Sequence, residues 1–182
     1  MSTATLTPDD IQMSAAQLTV NGTDIGATDG GVKFSPTVTI KPVSVDQLSM
    51  PVRHFITQEA AKVTANLTEY NLTKIDSCTP GGTYTLDAGG VKKSIYYGGG
   101  QISLTSDYVE LVITPLIDGS ATLATDNNLK ITIFKCVPIK HPDLAFTKDG
   151  VRFVPVEFEA IKYSTKAAGK QLYLLGDSTA TA

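Results

Sequence analysis

Two glutamates near the C-terminal end have the residue type and the spacing that acid–base chemistry uses. Glu157 and Glu159 lie two positions apart in a segment that alternates apolar and charged residues, so both are expected on one face of a strand. Paired carboxylates hydrolyse glycosidic bonds when their environments separate the two pKa values. The chain has no tryptophan to stack against a sugar, and a solvated strand face is the commoner role for such a pair. The sequence therefore favours a surface role for both carboxylates.

The other candidates for catalysis lack the partners that their chemistry requires. His54 follows Arg53, but neither serine nor cysteine stands beside it in a nucleophile pattern. Gly81-Gly82 and Gly98-Gly99-Gly100 are not followed by Lys-Ser or Lys-Thr and a helix, which a phosphate-binding loop needs. We therefore predict no catalytic residue and no cofactor site.

The two cysteines and two histidines could bind a metal ion only if their spacing brought them together. Cys78 and Cys136 are far apart in the sequence, and neither His54 nor His141 has a ligand-type spacing to either of them. In a reducing compartment such cysteines remain free thiols, buried or half-buried, and a disulfide is the minor alternative. We predict no metal site.

The charge distribution argues against tight binding of nucleic acid. The formal net charge is −3 and the pI is about 5.3, and the 15 basic residues are scattered along the chain. The mixed pair Lys92-Lys93 and Tyr96-Tyr97 is too small a patch to hold a single strand. No segment approaches the roughly 20 apolar residues of a membrane span, and the first ten residues do not resemble a secretion signal. We expect a protein of the cytoplasm with no membrane partner.

The elements that position these residues are predicted to be strands, beginning with a hairpin at Asn21-Gly22. Asn-Gly readily takes the positive φ angles that a two-residue hairpin turn requires. We expect the first sheet pair to join residues 17–25 and residues 32–45.

A second pair is predicted from alternation of apolar and polar side chains. Residues 32–41 have period two, interrupted only at Pro36, and residues 61–70 have the same period. An antiparallel pair between these two segments follows. A helix over residues 59–72 is the alternative for the second segment.

Between and after these strands the pattern changes. Residues 46–57 lack a clean period and contain Pro51, which indicates a long excursion between two strands. Residues 71–77 are predicted to form one or two helical turns, ended by Pro80-Gly81.

Short strands then recur at regular intervals, separated by glycine or Asx turns. They are predicted over residues 84–86, 94–97, 101–105, 108–114, 129–137, 153–162 and 171–175. Such regular turns predict an all-β fold, a small sandwich or barrel of two sheets with one short helix and a long inter-strand loop. One domain over residues 17–177 would lie between a flexible N-terminal arm, residues 1–16, and a frayed C-terminus, residues 178–182. Ordering of the N-terminal arm on assembly is the alternative.

Three segments within the first 75 residues form an ordered set. They are Asp24-Ile25-Gly26-Ala27-Thr28-Asp29-Gly30-Gly31-Val32, then Val45-Asp46-Gln47, then residues 63–72 with Leu67-Thr68-Glu69. Their order and spacing resemble those of the major tail tube proteins of long-tailed bacteriophages with non-contractile tails. Residues 153–163 and 171–177 agree with that family more loosely.

The resemblance implies a virion structural protein of the tail, assembled in the host cytoplasm, with the tail-tube fold. Members of the family stack as rings, usually hexameric, into a hollow tube through which genomic DNA passes without sequence-specific binding. It implies homo-oligomeric contacts and, as further partners, the tape measure, tail-tip and terminator proteins of the tail.

The resemblance also implies two sets of assembly residues. Residues 46–58 would reach the adjacent ring, through Asp46, Gln47, Leu48, Met50, Val52, Arg53 and Phe55. Residues 32–45 and 61–70 would join neighbouring subunits into an inner barrel, with Lys33, Ser35, Thr37, Thr39, Thr64, Asn66 and Thr68 facing the lumen. Lys33 and Lys41 do not suit a lumen that conducts DNA unless neighbouring carboxylates offset them.

Three alternatives remain beside the tube subunit. One is a non-catalytic β-sandwich binding or adhesin module, although such modules usually expose clustered aromatic residues. Another is a related tail-tip or baseplate component. An enzyme is the third.

Overall fold

A computed structural model describes residues 15–44, 46, 50–98, 107–117, 121–146, 148 and 150–180. Within these ranges the chain forms ten strands and one α-helix. The strands are β1 (Ala16–Val20), β2 (Thr23–Asp24), β3 (Thr28–Val43), β4 (Arg53–Leu67), β5 (Gly82–Leu86), β6 (Lys93–Tyr97), β7 (Val109–Pro115), β8 (Ile131–Pro138), β9 (Val154–Ala160) and β10 (Tyr173–Leu175), and the helix is α1 (Leu72–Ser77). The strand expected over residues 101–105 and residues 1–14 of the N-terminal arm lie outside the described residues.

One sheet of eight strands and a separate hairpin make up the fold. The large sheet has the order β2-β1-β7-β8-β9-β4-β3, and β10 joins it through β8. β5 and β6 form the two-stranded sheet. The expectation of an all-β fold with two sheets and one short helix is confirmed.

The large sheet curls around a single core. Alternate residues of β1, β4, β7, β8 and β9 are buried in one cluster, and β1 also packs beside β3 at the far end of the strand order. Phe158 on β9 is its largest fully buried side chain. Burial of one face of each strand explains the period of two that the sequence shows in these segments.

The Asn21-Gly22 turn joins β1 and β2 as predicted. Asn21 has φ 48° and Gly22 has φ 76°, the positive angles of a tight hairpin turn. The turn is also fixed to β7, because the Asn21 N–H donates to the Glu110 carbonyl oxygen and the Glu110 N–H donates to Asn21 Oδ1, both at 2.9 Å. Leu18 and Val20 are thereby held in the core.

The predicted short helix forms at residues 72–77 and connects the two sheets. Asn71 caps its start by accepting a hydrogen bond from the Thr73 N–H at 3.0 Å. Ile75 is buried in the core, and the helix packs against β5 and β6. None of the described helices is long or apolar enough to cross a membrane.

Three expectations about the first half of the chain are wrong. Residues 17–25 do not pair with residues 32–45: β1 pairs with β2 and β7. The helical alternative over residues 59–72 is wrong up to Leu67, because β4 occupies that segment. The excursion predicted over residues 46–57 ends at Val52, since residues 53–57 belong to β4.

Candidate assembly surface on the β3–β4 hairpin

The β3–β4 hairpin is longer than the sheet to which it belongs. β4 pairs with β9 only from Lys62 to Leu67, whereas it pairs with β3 from Arg53 to Leu67. Residues 37–43 and 53–60 therefore form a two-stranded ribbon beyond the body, which we call the hairpin extension. In the part of the chain that the structure describes, neither outer edge of this ribbon has a partner strand.

A β-bulge divides the hairpin extension. Thr39 pairs with Gln58 and Ile40 pairs with Ile56, so Thr57 is an extra residue on β4. The bulge shifts the alternation of β4 by one residue, so that Ile56 lies on the same face as Ile40. The Thr57 hydroxyl donates to the Thr39 carbonyl oxygen at 3.2 Å and fixes this irregularity.

One face of the extension continues the apolar face of the sheet but has no cover. Ala61 and Val63 are buried in the core on this face. Further along it, Val38, Ile40 and Ile56 are 50%, 55% and 61% exposed. The same alternation that buries side chains over the body thus leaves an apolar stripe in the open.

The body ends at a cleft where β9 diverges from β4. The cleft has a volume of about 490 Å³ and lies between Glu59 on β4 and the segment from Ala160 to Tyr173. Phe34 packs edge-on against Tyr173 at 5.1 Å between ring centroids, at the base of the extension.

The opposite face carries the residues predicted to line a lumen, and it is polar except for Val43 and Phe55 near the tip. Strand pairing places Lys33 opposite Thr64 and Thr37 opposite Ala60. Lys33, Ser35, Thr37, Thr39, Thr64 and Asn66 all lie on this face. Thr68 follows the end of β4, and its hydroxyl donates to the Ala27 carbonyl oxygen at 3.0 Å.

Carboxylates of β9 lie on the polar face and offset part of its positive charge. Glu157 is opposite Thr64 and Glu159 is opposite Lys62. The Lys62 ammonium donates to Glu157 Oε1 at 2.7 Å. The pKa of Lys62 is raised, first by this hydrogen bond and then by the charges of Glu157 and Glu159. The acid pair predicted to be a solvated strand face is therefore part of a cross-strand charge cluster.

The polar face is thus divided by charge. Lys33 lies in the same cross-strand row as Glu157, whereas Lys41 and Arg53 lie beyond the last residue of β9. Arg53 stacks over the Phe55 ring at 4.5 Å from its centroid. The tip of the extension is therefore cationic, and its base is not.

The residues predicted to reach an adjacent ring are placed only in part by the structure. Gln47 and Leu48 lie outside the described residues. Met50 and Val52 are exposed in the connection between the strands, and Arg53 and Phe55 are strand residues. Asp46 is exposed in the same connection.

The remaining candidates for chemistry occupy separate places. Cys78 and Cys136 are free and buried, as predicted. His141 packs edge-on against Tyr97 at 4.9 Å, in a cleft of about 290 Å³ between α1 and β6. Among the described residues no group of three histidine, cysteine or acidic side chains is arranged to hold a metal ion.

Sequence reasoning missed the apolar stripe as an exposed surface and the join between β4 and β9. Alternation places Val38 and Ile40 on one face of a strand, but it does not show that the body ends before them. Comparison with known proteins adds no relative: no protein-family model matches the sequence, and no curated protein matches it.

Proposed function

We propose that this protein is the repeating subunit of a bacteriophage tail tube, which stacks as rings into a conduit for the genome. The supporting observation is the hairpin extension, a ribbon whose two outer edges have no partner strand among the described residues and whose apolar stripe is exposed. A single molecule gains nothing from exposing these groups, whereas side-by-side copies satisfy the edge amides and cover the stripe. The resemblance adds to this proposal hexameric rings in which residues near Met50 and Val52, exposed in the connection between β3 and β4, contact the next ring.

The polar face suits passage of DNA better than binding of it. DNA carries one charge per roughly 1.7 Å of axis, and a cationic wall would retain it. On the proposed lumen side, Glu157 and Glu159 accompany Lys62 and Lys33, and threonine and serine occupy much of the remainder. At the base of the extension this wall would be polar and nearly balanced in charge, whereas Lys41 and Arg53 would leave its tip cationic.

Electron microscopy and sedimentation of the purified protein test the proposal. We expect a monomer or weak oligomer when the protein is dilute, and hollow tubes or rings when it is concentrated or given a tail-tip nucleus. The contacts between stable tube subunits should bury at least roughly 2,000 Å² for each pair of partners. A compact monomer at every concentration, together with the absence of this protein from virion tails, would refute the tube function.

A binding module is the second candidate, and the cleft lined by Tyr70, Tyr97 and His141 favours it. Aromatic side chains of this kind bind apolar or sugar ligands in clefts of several hundred Å³. A binding module requires no assembly and should take up its ligand as a monomer. Ligand screening by saturation-transfer NMR on the dilute protein separates it from the tube subunit.

A further inference from the structure

The backbone of the hairpin extension determines which of its groups face outward. The Val52 N–H donates to the Val43 carbonyl oxygen at 2.9 Å, so the backbone groups of Val43 point towards β4. In an antiparallel strand successive residues point their N–H and C=O groups to opposite sides. The even-numbered residues 36–42 of β3 therefore point away from β4, to the open edge.

Prolines limit the length of that open edge. Pro36 and Pro42 both fall on outward positions and have no N–H to donate. Between them Val38 and Ile40 each offer both an N–H and a C=O. The open edge of β3 thus presents two residues that can both donate and accept a backbone hydrogen bond. On each side of them lies a proline, which can only accept one.

The open edge of β4 has the same length. Arg53 and Phe55 lie opposite Val43 and Lys41, whose backbone groups point towards β4. Arg53 and Phe55 therefore point towards β3, and His54 and Ile56 point outward. The bulge at Thr57 interrupts the regular edge on one side of them. On the other side Val52 has already given its N–H to Val43. The open edge of β4 therefore also presents two residues that offer both an N–H and a C=O, namely His54 and Ile56. They lie between Val52 and the bulge at Thr57.

We propose that the β3 edge of one copy pairs antiparallel with the β4 edge of a second copy, with Val38 opposite Ile56 and Ile40 opposite His54. The inference rests on the proposed ring assembly and adds to it the two edges and their register. In this register Pro36 falls opposite the bulge and Pro42 falls opposite Val52. Each proline, which has no N–H to donate, thus lies opposite a position where β4 could not continue a regular ladder of hydrogen bonds.

Two observations indicate that the partner at each open edge is a second copy of this chain. The two open edges belong to the same ribbon and match in length and in the position of their interruptions, so identical copies can repeat the contact head to tail. The pairing also brings Val38 and Ile40 of one copy beside Ile56 of the next, on one face of the joined sheet. The exposed apolar stripe becomes continuous from copy to copy.

A shift of the register by two residues loses contacts. Placing Val38 opposite His54 would bring Pro36 opposite Ile56, and the Ile56 carbonyl oxygen would then have no donor. An unmade hydrogen bond at a paired edge disfavours that register relative to the proposed one.

Cysteine cross-linking between singly substituted proteins tests the pairing. Val38→Cys and Ile56→Cys proteins are mixed in equal amounts, concentrated until they assemble, and oxidised with diamide. The native Cys78 and Cys136 are buried and should not interfere. We expect disulfide-linked dimers from this mixture, and also from Ile40→Cys mixed with His54→Cys, because hydrogen-bonded residues directly opposite each other have Cα atoms about 5.5 Å apart, within the span of a disulfide.

Control mixtures distinguish an incorrect strand register from a failure of the copies to assemble. The mixture of Ile40→Cys with Ile56→Cys is off-register by two residues and should give a yield at least about tenfold lower, because diagonal Cβ atoms are too far apart. Neither Val38→Cys nor Ile56→Cys alone should cross-link, and a dimer from either would show like-with-like pairing and overturn the inference. Tubes in electron micrographs of a mixture without its expected cross-link would overturn the register and leave the tube function standing. No rings or tubes at any concentration, with or without a tail-tip nucleus, together with the absence of this protein from virion tails, would refute both.

Discussion

At the residue scale, Asn21 illustrates how one side chain can hold two elements. Its positive φ makes the β1–β2 turn, and its carboxamide oxygen accepts the Glu110 N–H from β7. The turn was predicted from Asn-Gly, but the bond to Glu110 spans 89 positions and no local pattern indicates it. Propensity therefore predicts the conformation of Asn21 and not its partner.

Replacing Asn21 separates the two roles. Asn21→Gly keeps the turn conformation and removes the carboxamide, so the free energy of unfolding should fall by about 1 kcal/mol, the contribution of one hydrogen bond. Asn21→Asp keeps the acceptor and should retain most of that stability. Urea unfolding followed by circular dichroism gives both values, and equal stability of Asn21→Gly and the wild type would contradict a role for the Glu110 contact.

The buried thiols give a second prediction at this scale. Burial raises the pKa of Cys78 from an ordinary value of 9.0 to about 11 and that of Cys136 to about 12. Since thiolate is the reactive form, neither cysteine should react with a thiol reagent at pH 8 in the folded protein, and both should react in urea. Rapid reaction of a native thiol would show that the core opens there.

The raised pKa values of these two thiols also determine how the stability of the fold changes with pH. The thiols of the unfolded chain lose their protons near pH 9, whereas the folded thiols keep them to about pH 11 and about pH 12. The folded state then binds more protons, so their contribution to stability is present below pH 9 and is lost as pH rises towards 12. Serine at both positions should reduce this alkaline loss of stability, measured from urea midpoints at pH 8 and pH 10.5.

At the scale of elements, alternation predicted the strands that bury one face and failed at residues 53–57 of the hairpin extension. β9 alternates cleanly because Val154, Val156 and Phe158 are in the core. Residues 53–57 lacked a period for two physical reasons: the bulge at Thr57 shifts the alternation, and both faces of the extension are exposed. Strand order could not be predicted, because every core strand has the same pattern and alternation does not identify its neighbour.

The apolar stripe of the hairpin extension gives a prediction for this scale. Val38→Lys combined with Ile40→Lys should change the free energy of unfolding of the monomer by no more than about 0.5 kcal/mol per site, because both side chains are exposed. Assembly should be lost, since each junction would place two ammonium groups in the stripe. Sedimentation and thermal melting measure the two effects, and normal tubes from this variant would exclude the stripe from the subunit contacts.

At the scale of the whole molecule, substitutions on the polar face of β3 can be compared with those in the apolar stripe of the same strand. Thr37→Arg combined with Thr39→Arg adds two cations beside Lys33 and Lys41, on the face predicted to line the lumen. Tubes should still form, but every ring would repeat the new charges around the channel and hold phosphate groups. Particles with normal tails should therefore lose infectivity, and full infectivity would remove this face from the lumen.

The short edges of the hairpin extension also bear on when such a structure can form. Two paired residues give at most about four backbone hydrogen bonds, each contributing roughly 0.5–1.5 kcal/mol. Bringing two free molecules together costs about 4–15 kcal/mol, so these edge hydrogen bonds alone do not hold two copies together. The last copy to enter a closed ring forms a junction on each side, but the free-energy cost of bringing a free molecule into the ring arises only once. If copies join in rings as proposed, growth should be cooperative with a high nucleation barrier, and newly made copies should stay separate until a closed template is present to start them.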